Sequence, residues 1–112
     1  MQHCIIFRTW RASVVLLGVL VAAQEKTSSR AASRGKALFE QCRGCHSAAT
    51  GEKKVGPSLK GIFNRTRLRN GEAVTEKTVR AKIDLGGDGM PAYSGVLSET
   101  QKNHLIAYLK EL

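Results

Sequence analysis

The run Cys42-Arg43-Gly44-Cys45-His46 limits what this chain can fold into more than any other stretch of it. At the end of a helix, positions i, i+3 and i+4 share a face. Two thiols and an imidazole at those positions therefore point the same way. The thiols can add to the two vinyl groups of one porphyrin, which brings the imidazole to the iron. The spacing is that of c-type haem attachment. Other uses of the pattern fit less well. A thioredoxin-like redox pair expects a βαβ context, and the sequence has none. A zinc site wants four ligands; beyond the three here, the chain after residue 23 offers only His104 among imidazoles and no other cysteine.

A haem also answers the question of how so short a chain builds a core. Of the 112 residues, 1–23 read as a secretory signal. Arg8 and Arg11 precede the run from Val14 to Val21, and Val21-Ala22-Ala23 supplies a small-residue ending for cleavage near Ala23. The uncharged stretch is shorter than the roughly 20 apolar residues that span a bilayer. Arg8 and Arg11 are not adjacent, so no twin-arginine route is indicated, and Cys4 precedes the apolar run, where a lipoprotein cysteine would follow it. A soluble periplasmic protein is expected. Arg8 and Arg11 leave with the signal and no acidic residue does, so the charge falls from +9 to +7.

Residues 24–32 are polar and read as a mobile leader, and residues 33–112 as one domain. A domain of this size buries a limited share of its surface and often needs a staple. Two cysteines three positions apart cannot form a disulfide framework. Only Phe39, Phe63, Tyr93 and Tyr108 remain as aromatics.

The periodicity predicts an all-α fold. Ser33 is placed to cap a helix with Gly35, Leu38, Phe39 and Cys42 on its apolar face. Ser98 and Gln101 form a capping box for a last helix carrying Leu105, Tyr108, Leu109 and Leu112 on one side. A weaker helix starts at Thr75, turns Val79 and Ile83 inward, and stops at Gly86-Gly87. Residues 47–74 and 86–97 are glycine-rich and aperiodic. Such long loops suit a small domain only if they wrap a cofactor. The Arg65-Thr66-Arg67-Leu68-Arg69 alternation fits a solvated basic loop better than a short strand.

An iron held by His46 has one further axial position, for which Met90 and His104 compete. Met90 sits in Gly86-Gly87-Asp88-Gly89-Met90-Pro91, whose glycines let backbone approach a flat ring and whose proline stiffens the exit. His104 flanks the apolar stripe of the last helix, where a surface role fits it. Met90 is the favoured ligand.

These segments together resemble the class I (mitochondrial-type and small bacterial) cytochrome c family across nearly all of residues 24–112. The matching pieces are Gly35-Lys36-Ala37-Leu38-Phe39 before the haem motif, Gly56-Pro57-Ser58-Leu59-Lys60-Gly61, Met90-Pro91-Ala92-Tyr93, and Leu105-Ile106-Ala107-Tyr108-Leu109, in the family's order. The resemblance implies a cytochrome c fold: three or more short helices and long loops wrapped around one covalently bound haem c. It implies first and last helices that cross, with Gly35 and Phe39 on the face of Tyr108. It further implies that the Pro57 carbonyl orients His46 by a hydrogen bond, and that Arg65 contacts a haem propionate. The tryptophan of the mitochondrial form has no match, since Trp10 lies in the signal. That departure and the short stretch from His46 to Met90 favour the smaller bacterial type.

The expected function is one-electron transfer by a haem with His46 and Met90 on its iron, not catalysis. The alternative is a peroxidase-like enzyme or gas-binding protein in which Met90 is displaceable. Lys36, Lys53, Lys54, Lys60, Arg65, Arg67 and Arg69 flank the haem motif, and Arg43 lies within it. They serve solubility alone, or form a docking face for acidic redox proteins and, weakly, a membrane surface. Nucleic acid is not an expected partner, and a monomer is the default.

Overall fold

The computed structural model describes the backbone of residues 10–112 and side chains from residue 22 onward; Arg8 and Cys4, which bear on the expected export signal, lie outside the described residues. Helix α1 spans Trp10–Phe39, α2 Glu76–Leu85 and α3 Glu99–Leu109, with a 3-10 turn at Ile62–Asn64. No helix among the described residues is long and apolar enough to cross a membrane.

The expectation that Ser33 caps the first helix is not met. Residues 24–32 are the continuation of α1, which runs through Ser33 unbroken. Neither glycine nor proline occurs between residues 24 and 34 to stop it. Ala32 is buried, so the packed part of α1 begins before Ser33.

Gly35 is where α1 crosses α3. A Cβ at Gly35 would collide with the His104 carbonyl and lie 2.7 Å from the Tyr108 Cβ. One turn on, the Phe39 and Tyr108 rings pack at 5.4 Å between centroids with planes inclined by 57°. That tilted arrangement is favourable for aromatic pairs. The collision at Gly35 is with backbone and cannot be relieved by a rotamer change. Gly35→Val is therefore expected to cost at least about 3 kcal/mol, the upper end for overpacking, read as a lowered midpoint in a denaturant melt.

Helices α2 and α3 begin where their side chains predict. Thr75 and Thr78 form one capping box, and Ser98 and Gln101 the other. Val79 and Ile83 of α2 are buried, as are Leu105 and Leu109 of α3, and Ile106 joins them. Ion pairs join the two helices at both ends. Lys110 meets Glu76 at 2.7 Å, and Lys102 meets Asp84 at 2.7 Å.

The long irregular stretches are held by their own hydrogen bonds. The buried hydroxyls of Ser47 and Ser58 both donate to the Thr50 carbonyl, at 3.0 and 2.6 Å. The Leu59 N–H donates to Ser47 and the Gly61 N–H to Leu112, at 2.8 and 2.9 Å. Arg67 and Ala73 make one isolated bridge, so the Arg65–Arg69 alternation is a loop closed by a single pair.

Candidate functional site

After Phe39 the chain keeps turning without extending the helix. Cys42 and Arg43 donate their N–H groups to the Phe39 carbonyl, and Cys45 and His46 donate to Cys42, at 2.8 to 3.2 Å. These turns set Cys42, Cys45 and His46 around one cleft of about 840 Å³, which Met90 also lines. Its size is within the roughly 300–1,000 Å³ of small-molecule and cofactor sites. Leu59, Ile62, Val79, Ile83 and Leu109 form its apolar floor, and Lys53, Arg65, Arg67, Arg69 and Lys82 are basic residues along it.

Cys42 is half-buried and Cys45 exposed, and both are free thiols. Burial pushes the Cys42 thiol above its ordinary value, and Cys45 adds to the rise. Tyr93 borders the same cleft. Burial, then the two cysteines, raise its phenol in the same direction.

The His46 Nδ1 lies 2.7 Å from the Pro57 carbonyl oxygen. A carbonyl can only accept, so Nδ1 carries the proton and Nε2 keeps the lone pair for a metal. The ring is also held from one side by Gly56. A Cβ there would lie 2.5 Å from the His46 Cε1 and 2.8 Å from Nδ1. The Gly56 N–H donates to the Cys45 carbonyl at 2.8 Å, which ties this backbone to the haem motif. The sequence displays Gly56 as part of the family-like Gly56–Gly61 segment, and its steric role comes from the approach of the ring.

Met90 ends a tight turn. Gly87 and Met90 exchange backbone hydrogen bonds of 2.9 and 3.1 Å across Asp88 and Gly89. Those two central residues have φ of +56° and +87°, the mirror-image turn that Asp-Gly pairs favour. Gly86 must be bare as well, since a Cβ would collide with the Met90 carbonyl and approach the Pro91 carbonyl at 2.7 Å. The Lys82 ammonium donates to the Gly87 carbonyl at 3.3 Å, bracing the turn from α2. His104 is elsewhere: it stands on α3 with its carbonyl against Gly35 and does not line the cleft.

One Arg65 nitrogen donates to both the Ser58 and Lys60 carbonyls, at 2.8 and 2.7 Å. That locks the side chain along the cleft and uses one nitrogen of a five-donor group. The cleft thus offers two thiols, an imidazole with its tautomer set, a thioether, an apolar floor and a basic edge. A flat apolar ring with a central metal and anionic substituents fits that set. A bare metal ion does not, because no group of three or more His, Cys, Asp or Glu side chains that could hold one occurs among the described residues.

Comparison with known proteins agrees with this chemistry. The family model described as cytochrome c oxidase, cbb3-type, subunit III matches residues 30–109. Cytochrome c2 of Blastochloris viridis is 33% identical, over 90% of this chain and 93% of its own length. Cytochrome c2 of Agrobacterium tumefaciens is 32% identical, over 69% of this chain and 87% of its own. Cytochrome c of Euglena viridis is 29% identical, over 72% and 96%.

Proposed function

Because the chain belongs to the class I c-type cytochrome family, we propose that it is a soluble, exported one-electron carrier whose haem iron is held between His46 and Met90. The haem c is bound covalently through Cys42 and Cys45. The observation that carries the ligand assignment is that His46, with Nδ1 engaged by Pro57, and Met90, at the end of its braced turn, line one cleft with both cysteines. When bound, the haem supplies an iron that alternates between ferric and ferrous states.

The chain's own residues decide what that iron can do. A thioether opposite an imidazole favours the ferrous state and raises the potential. With His46 and Met90 both holding the iron, no open place would remain for peroxide or dioxygen, which argues for a carrier over a peroxidase-like enzyme or a gas-binding protein. Pro57 and Gly56 hold the His46 ring in one orientation in either oxidation state, so little rearrangement accompanies electron exchange. Arg65, which lines the same cleft, would meet a propionate with the guanidinium N–H groups that Ser58 and Lys60 leave free.

Cleavage near Ala23 would deliver residues 24–112 to the periplasm as a monomer. There Lys53, Arg67, Arg69 and Lys82, along the cleft, suit acidic redox proteins as partners, with weak membrane-surface contact a lesser use of the same charge. Fast, weak encounters of this kind are screened by salt. Electron transfer from the reduced protein to an acidic redox protein, followed by stopped flow, is expected to slow roughly tenfold or more between low and physiological ionic strength. A rate independent of salt would remove the docking role, and a protein that turns over peroxide would remove the carrier reading.

A further inference from the structure

Lys102 is a charged residue at the end of the first turn of α3, yet its side chain is only 4% exposed. Its ammonium contacts two carboxylates. One is Asp84 in the last turn of α2, at 2.7 Å, and the other is Glu99, the first residue of α3. Those two residues flank the loop that carries Met90, which leaves α2 after Leu85 and enters α3 at Ser98. The same end of α2 also holds the segment after Met90, since the Ile83 and Asp84 carbonyls accept the N–H groups of Tyr93 and Ser94 at 3.0 and 3.3 Å.

We propose that Lys102 is a positioning residue for Met90: one buried ammonium ties both ends of the ligand loop and so sets how readily Met90 leaves the iron. The proposal rests on the reading of Met90 as ligand. Loops joined to a core by few contacts open locally, at less cost than global unfolding. Removing Lys102 leaves the Asp84 carboxylate without its partner and the base of the loop with only the more exposed Arg80–Glu99 pair at 3.3 Å, which favours opening. The hydrogen bonds that the ammonium donates to Asp84 and Glu99 also raise its pKa above the ordinary lysine value. The Lys110–Glu76 pair, equally short at 2.7 Å, joins the same two helices away from the loop. It serves as the internal control.

The test is a titration of the ferric holoprotein with imidazole, which competes with Met90 for the iron, followed by absorbance. Lys102→Met is expected to tighten apparent imidazole binding about tenfold, because a larger fraction of molecules has the loop open. The weak near-infrared sulfur-to-iron band should remain when no imidazole is present. Asp84→Asn, which cuts one leg of the tie, is expected to act in the same direction and covers the case in which Lys102→Met does not fold. Lys110→Met should lower the melting temperature and leave imidazole binding unchanged. Wild-type-like binding in both loop-tie variants overturns the proposal, and so does equal tightening by Lys110→Met, which would mark a general loss of stability. A wild-type protein without the near-infrared band would remove the Met90 assignment itself, an outcome separable from failure of the tie.

Discussion

Cys45→Ala and His46→Ala are each expected to leave little folded protein. The cleft that Cys45 and His46 line occupies about 840 Å³ in a domain whose largest fully buried side chains are Phe39 and Ile106. Without the haem, Leu59, Ile62, Val79 and Ile83 face that space instead of an apolar ring. Core truncations that open far smaller cavities cost about 2–5 kcal/mol each. Small domains have only about 5–15 kcal/mol of stability to lose. The loss of covalent attachment through Cys45, or of the proposed iron ligand at His46, is therefore expected to abolish the cooperative thermal transition by circular dichroism. Covalent haem on a denaturing gel should fall in parallel. A haem-free Cys45→Ala protein that melts cooperatively would show that the helices pack without the cofactor.

Met90→Ala is the second large effect, and it separates ligation from folding. The turn at Asp88-Gly89 and the helix ends around it do not depend on the Met90 side chain, and the haem stays attached through Cys42 and Cys45. The variant should fold. Its iron gains an open axial position, so the ferrous form is expected to bind carbon monoxide readily and to acquire peroxide reactivity. The potential should drop on the order of 100 mV, a modest part of the about 0.8 V over which axial ligands move haem proteins. Potentiometry and carbon monoxide difference spectra read both. A variant with the wild-type potential would place the sixth ligand elsewhere.

What the sequence reveals here is what depends on near neighbours in the chain. The haem motif, the Ser98–Gln101 capping box and the Thr75 start of α2 each involve residues within four positions, and all stand where the sequence puts them. The Leu105–Leu109 stripe is equally local. The start of α1 is misread because Ser33 has the chemistry of a cap, while nothing before it stops the helix. Contacts distant in sequence are harder. Gly56 must be bare because the His46 ring lies against it, which no local pattern encodes. Lys102 left a sign that is easily passed over: it occupies the same helical face as Leu105 and Leu109, three and seven positions on. A lysine in that register is either misplaced or paired, and its partners Asp84 and Glu99 become visible only in the fold.

The central claim is that His46 and Met90 fill both axial positions of a haem held by Cys42 and Cys45, leaving an iron suited to electron transfer alone. The most direct measurement is the absorption spectrum of the purified wild-type holoprotein, ferric and then ferrous under carbon monoxide. The account predicts the weak near-infrared sulfur-to-iron band in the ferric form and no carbon monoxide complex in the ferrous form at neutral pH. A ferric spectrum without that band, together with ready carbon monoxide binding, would contradict it.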